Sequence, residues 1–517
     1  MLWPGRLARL TPLALPALLG LAAANFLWQL GSSSYFVDEV QSLTVADSSL
    51  GGVLHAVGTI ELTPPAYFYF LHEWLLRTGS HAEWVARLPS VLCGVALVGA
   101  VHWLALALSE RRGVALAAGA LAALSPFVLQ YAQLSEGYVF VMLAVTLAVA
   151  AAIQGERTAE HRAERVSEHR AERVSERQAE RTTGRPGLWL AGAALASVLS
   201  LWLHYTAVLV IVPLCAWVAS RCRFTVRSRV AFTAACAVAG LALVPLLVTQ
   251  HETTPIRSGV ATSAGLTAAN VERLFETPFD GRLDALAPLG VLVTAGAMLV
   301  LIAAGRNAIA GQRLVLSVAV GGPLVLLALS AVGGQLMLAR YAAVTVPFTI
   351  VGIAAAGAAL ARIALPVAGL LGAAAAAAAI AGLLDSHRPQ SFYPDARGVV
   401  AYVQSRELAG GQDAVLAPSN PAIEVPLIYY GVQRLHVHWT AEASTARLVA
   451  QRSRRLWTIL ELTTGAPSAK MLIRVETPGA RLLGYRVLAA RVFPGAEPLA
   501  VLLLAPSARS RSLDGRT

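Results

Sequence analysis

Residues 12–41 read PLALPALLGLAAANFLWQLGSSSYFVDEVQ. The run from Pro12 to Leu30 is almost wholly apolar, and about 17–25 such residues in a helix cross the hydrocarbon core of a bilayer. A Gly-Ser-Ser-Ser segment then breaks the pattern. Two adjacent carboxylates, Asp38 and Glu39, follow where the chain leaves the membrane. Ionised groups beside hydrocarbon are costly to hold. The pair therefore marks either a functional site or a solvated helix cap, and the rest of the chain has to decide between them.

Outward from this stretch, apolar runs of spanning length recur near 88–108, 113–131, 137–153, 188–203, 205–220, 230–249, 285–304, 314–332, 342–360 and 363–384. Together with the first they predict about eleven transmembrane helices. The 517 residues are 56% hydrophobic and 14% charged, whereas a soluble domain is about a quarter charged. The composition excludes a soluble protein and predicts an all-α polytopic membrane bundle. The N-terminus, with Arg6 and Arg9 before its apolar run, reads as an uncleaved first helix rather than a secretory signal, because the run is long and further spans follow.

The net charge of +11 does not point to nucleic acid, because the basic residues sit in short loops between apolar runs. Arg6/Arg9, Arg111/Arg112, the loop 154–187, Arg221/Arg223/Arg227/Arg229, Arg306/Arg313 and Arg362 fall on one side. The positive-inside rule assigns that side to the cytoplasm. The long first loop, 31–87, and the C-terminus are then outside. The expected location is the plasma (inner) membrane, multi-pass, with any site near Asp38 on the extracytoplasmic face. Cys93, Cys215, Cys222 and Cys236 lie in or beside apolar segments, with no zinc-ligand spacing and no disulfide framework.

Two further regions stand apart. The loop 154–187 contains EHRAERVS twice in succession, then ERQAERTT. These charged octads lack the apolar residue about every 3.5 positions that a coiled coil needs, so they predict a solvated helical or disordered extension. From 388 the composition changes: YPDARGVVAYVQSREL has helical periodicity, while DAVLAP, RLWTILEL and PLAVLLLAP read as buried strands. The expected domains are 1–387, a transmembrane domain containing the loops 31–87 and 154–187, and 388–517, an extracytoplasmic α/β domain.

Chemistry-bearing motifs follow one another in a defined order. After Asp38-Glu39 come ELTPP (61–65) with the aromatics Tyr67 to Phe70, then RLPS (87–90) and SPFVLQYAQLSEGYVF (125–140). LHYTA (203–207), LARYAAVTVPF (338–348) and YPDARGVVAYVQ (393–404) complete the series. The ordered set resembles the polytopic GT-C glycosyltransferases, and within them the branch of protein O-mannosyltransferases and aminoarabinose transferases. The resemblance covers about residues 10–405. At the third motif, Leu134 and Glu136 stand where relatives carry an acidic residue and an arginine.

The resemblance implies the GT-C fold and a polyprenyl-phosphate sugar donor, carrying mannose or another hexose or pentose. The acceptor would be an extracytoplasmic lipid, protein or glycan. Transfer with inversion needs a base for the acceptor's proton and positive charge near the departing phosphate. Asp38 is expected as that base, projecting from the end of the first helix, with Glu39 beside it. Arg340 and His204 are expected at the phosphate, and Glu61, Tyr131, Gln133, Tyr138 and Tyr341 around the substrate. Glu61 and His204 are candidate ligands for a divalent metal; no other cofactor is implied. The alternatives are a polytopic transporter, which would place polar residues and broken helices near the bilayer midplane, and a non-catalytic protein of GT-C type.

Overall fold

The computed structural model describes residues 4–59, 61, 63–172, 186–253, 267–279, 287–304, 310–332, 338–387, 393–406, 413–432, 436–440, 455–462, 468–482, 484–494 and 498–507. All eleven apolar runs are mainly helical in their described parts. Among the described residues, seven helices are long and apolar enough to cross a membrane, or eight with the bent pair Arg112–Leu124 and Pro126–Ala132. Shorter apolar helices, Leu13–Leu27, Tyr205–Ala219 and Pro288–Ala303, account for the remaining runs. The protein is a multi-pass membrane protein.

The chain forms two compact units. The membrane unit comprises Met1–Trp28, Val45–Ser80 and Val85–Ser386; the second unit comprises Gln29–Thr44, His81–Trp84 and His387–Thr517. At the centre of the membrane unit runs the helix Tyr138–Glu172, whose apolar window is 78% buried, against 22% for Val226–Glu252 and for Leu365–Ser386. The latter two leave leucines such as Leu241 and Leu370 exposed, as suits helices that meet lipid tails. Small residues let the helices approach closely. A Cβ on Gly94 would sit 2.8 Å from Ala132 Cβ and 3.2 Å from the Phe26 ring.

Two expected spans differ from straight rods. Residues 113–131 break at Ser125-Pro126 into helices 59° apart. Pro126 has no N–H to continue the first helix but suits the first turn of the next. Ser125 caps that helix by accepting from the Val128 N–H, and its hydroxyl donates to the Pro278 carbonyl at 2.6 Å. The span ending near 153 continues unbroken to Glu172, so the first octad is helical. Its base makes partly solvent-exposed ion pairs: Arg157 pairs with Glu110 at 2.9 Å and Arg223 with Glu160 at 2.7 Å. The end of the repeat, 173–185, lies outside the described residues.

The first loop folds into three helices, Val37–Ala46, Leu50–Thr59 and Ala66–Thr78. Tyr67 and Phe68 are buried. In the second unit the strands β1 (Asp413–Pro418), β2 (His436–Thr440), β3 (Arg455–Glu461), β4 (Tyr485–Phe493) and β5 (Leu499–Pro506) form one sheet in the order β2-β1-β3-β5-β4. β1 pairs in parallel with β2 and β3, whereas β5 runs antiparallel to β3 and β4. Alternation along β1 sends Val415 and Ala417 to one face, under the helices Ala396–Gln404 and Pro421–Tyr429. Ala414 and Leu416 go to the other face, under Ala469–Leu482. The buried Asp413 carboxylate is satisfied by Arg455 at 2.6 Å and by the Trp457 indole N–H at 3.1 Å.

Candidate active site

The first membrane helix ends at Leu27, and Gln29 follows in the left-handed region at φ 54°. Asp38 therefore does not project from the end of that helix. It lies with Glu39 in the first turn of a separate one, Val37–Ala46. The Phe36 N–H donates to Glu39 Oε2 at 3.1 Å, and the Val40 N–H to the Phe36 carbonyl at 2.9 Å. This is the acidic half of a capping box: the third helical residue reaches back to a main-chain donor that has no helical acceptor. Glu39 is 0% exposed and so does not face water. Asp38 is half-buried. Both carboxylates sit where the helix dipole favours negative charge.

In the membrane unit the expected aromatic and basic residues converge. Ring centroids run from Phe127 to Tyr131 at 4.6 Å, from Tyr131 to Tyr138 at 4.9 Å and from Tyr138 to His204 at 5.0 Å. His204 is 5% exposed and lies in the break between Pro186–Leu203 and Tyr205–Ala219. Its Nδ1 accepts the Thr206 main-chain N–H at 3.2 Å and lies 2.8 Å from the Thr206 hydroxyl. A main-chain N–H can only donate, so Nδ1 is unprotonated and Nε2 carries the hydrogen. Burial, reinforced by the Arg340 charge, pushes the imidazole pKa down to about 4. Among the described residues, Nε2–H is thus a buried donor that meets no acceptor. Such a group costs about 1–3 kcal/mol if it stays unsatisfied. Arg340 lies over the Tyr341 ring at 5.8 Å.

Gln133 and the main chain at Glu61 also take part in hydrogen bonds within the membrane unit. The Gln133 amide donates to the Phe26 and Trp28 carbonyls at 3.0 and 2.7 Å, closing the end of the first helix. The Glu61 carbonyl accepts from Gln250 Nε2 at 3.2 Å; that amide also meets Val57 at 2.9 Å and Thr63 at 3.3 Å. Tyr205 donates to Gln250 Oε1 at 2.8 Å. Gln250 thus fixes the loop before Pro64-Pro65. Sequence reasoning missed it, since a lone amide near a helix end carries no motif. Ser135 donates to the Ala86 carbonyl at 3.3 Å and accepts from Tyr67 at 3.2 Å. This brings the segments bearing the buried charges Arg87 and Glu136 together.

The Glu61 and His204 pair does not suit a metal. One nitrogen of His204 is engaged as a cap and the other is protonated. Among the described residues no three His, Cys, Asp or Glu side chains cluster.

A scan against protein-family models matches none, and a search of curated proteins returns no relative. Among solved structures, the chain is similar to ArnT from Cupriavidus metallidurans bound to undecaprenyl phosphate. The TM-score is 0.51 at 12% identity, over 94% of this chain and 97% of that one. ArnT is an aminoarabinose transferase of the GT-C fold. The chain has the GT-C fold. Apo ArnT matches with a TM-score of 0.49 at 12% identity, over 94% and 97% of the two chains. The archaeal oligosaccharyltransferase AglB from Archaeoglobus fulgidus, with an inhibitory peptide and a dolichol-phosphate, gives 0.49 at 11% identity over 86% and 69%. The fold is assigned on the first of these alone. In this GT-C chain both residues that depart from the third motif, Leu134 and Glu136, are buried.

Proposed function

We propose that the protein is a membrane glycosyltransferase that moves a sugar from a polyprenyl-phosphate donor to an extracytoplasmic acceptor with inversion. The observation that carries this is the buried Nε2–H of His204, a donor that meets no acceptor among the described residues and lies within the field of Arg340. A hydrogen-bond donor and a guanidinium beside apolar helices suit a phosphate on a hydrocarbon tail. The GT-C fold supports the same reading, since the ArnT structure contains undecaprenyl phosphate, although fold alone does not fix chemistry.

In this mechanism the acceptor hydroxyl oxygen attacks the anomeric carbon as the carbon–oxygen bond to phosphate breaks. Asp38 takes the hydroxyl proton, and polyprenyl phosphate departs as an anion that needs no acid. Tyr131 and Tyr138 contribute ring surface to the sugar. Arg87 and Glu136 are both buried on segments that Ser135 ties together, and the cation assigned to the phosphate is Arg340.

Binding of polyprenyl phosphate to the purified protein tests this reading. Arg340→Ala and His204→Ala should each weaken it roughly ten- to a hundredfold, as expected for hydrogen bonds to a charged group worth about 1.5–3 kcal/mol. Wild-type affinity in both variants would contradict the assignment.

A further inference from the structure

The lead-in to the helix bearing Asp38 has no regular structure of its own, yet it is held residue by residue within the second unit. Arg397 Nη2 donates to the Ser32 carbonyl at 2.9 Å and the Gly31 carbonyl at 3.3 Å, while its Nη1 pairs with Glu83 Oε1 at 2.7 Å. Ser34 donates to Asp395 Oδ1 at 3.0 Å and accepts from the Arg397 N–H at 3.0 Å. The Tyr35 N–H donates to the Tyr430 hydroxyl at 2.8 Å, and that hydroxyl donates to Glu83 Oε1 at 2.8 Å. Phe36 stacks on Tyr393 at 4.1 Å. On the far side of the clasp, Asp395 caps the helix Ala396–Gln404 through the Gly398 N–H at 2.9 Å. A Cβ on Gly398 would strike that carboxylate.

We infer that the C-terminal domain acts in catalysis as a positioning device, with Arg397 and Tyr430 setting the place of Asp38. This rests on Asp38 being the base. The Glu39 cap fixes where the helix begins in the chain, and the clasp fixes where that beginning lies in the second unit. Glu83 Oε1 joins the two clasp residues by accepting from both, so losing either loosens the other. A base must come within about 2.6–3.2 Å of its proton, and a displacement of about 1 Å can cost a hundredfold in rate. Arg397 and Tyr430 are positioning residues in this account, since neither is assigned a contact with substrate.

The test uses the full chain in proteoliposomes and follows turnover per folded molecule, polyprenyl-phosphate affinity and thermal stability. Tyr430→Phe keeps its ring against Tyr35 and removes only the hydroxyl bonds; Arg397→Ala removes the guanidinium. Both should lower turnover roughly ten- to a hundredfold with lipid affinity within about twofold, since bound polyprenyl phosphate makes no demand on the base. Arg397→Lys, which keeps the Glu83 pair but not the fork to two carbonyls, should recover part of the loss. Adding Tyr430→Phe to Asp38→Asn should cost little more than Asp38→Asn alone, because residues acting through one group are not additive. Wild-type turnover in Tyr430→Phe and Arg397→Ala, beside an inactive Asp38→Asn, would overturn the clasp and leave the base in place. The same fold loss with and without Asp38 would also overturn it, showing a structural role only. An Asp38→Asn protein with wild-type turnover would instead remove the base, and this proposal with it.

Discussion

Asp38 and Glu39 are neighbours in the chain with separate tasks. Glu39 is buried and its carboxylate accepts from the Phe36 N–H, which gives it the task of a helix cap. Glu39→Ala should destabilise the protein by about 0.5–2 kcal/mol, seen as a lower midpoint in thermal or denaturant unfolding. Glu39→Gln keeps an acceptor oxygen at the same reach and should stay near wild type in both stability and turnover. A large loss of turnover in Glu39→Gln at full stability would show that its charge matters beyond the cap. The sequence marked the acidic pair but not its division of labour. That division depends on Phe36 preceding the helix, and a capping box was not legible because Phe36 has no side-chain oxygen. His204 was legible as a polar residue in an apolar neighbourhood. Its tautomer was not, since that follows from the Thr206 N–H alone.

At the scale of elements, length and hydropathy made every spanning run legible, because a helix in lipid must satisfy its main chain internally. Breaks inside runs were less so: Pro126 divides a run that hydropathy reads as continuous. In the C-terminal domain, DAVLAP, RLWTILEL and PLAVLLLAP match the buried strands β1, β3 and β5. The sequence reading missed β2 and β4, the two edges of the sheet. Edge strands are partly exposed, so His436 and His438, or Arg486 and Arg491, interrupt the apolar signal. Close helix packing is a further element-scale feature. A Cβ on Gly94 would lie 2.8 Å from Ala132 Cβ, a neighbour fixed to the main chain. Gly94→Ala should therefore destabilise by about 1–3 kcal/mol through overpacking, measured as loss of thermal stability in detergent. A neutral result would mean that the helices Glu83–Ser109 and Pro126–Ala132 are farther apart than described.

For the whole molecule, the asymmetry of arginines leads us to propose a cytoplasmic end, carrying the octad repeat, with the proposed chemistry on the other face. The base of the repeat, through Glu160, makes an ion pair with Arg223, whereas the octads beyond it carry no apolar seam. Deleting 165–183 should leave transfer activity and membrane levels close to wild type. Loss of turnover at normal levels would give the repeat a role that its sequence does not predict. The central claim is that the protein transfers a sugar from a lipid phosphate with Asp38 as base. The direct measurement is transfer of radiolabelled sugar from polyprenyl phosphate by the reconstituted protein and by Asp38→Asn, with donor affinity measured beside it. Since a general base contributes about two to four orders of magnitude, Asp38→Asn should lose transfer by that factor and bind donor as wild type does. Turnover of Asp38→Asn within a few-fold of wild type would contradict the account.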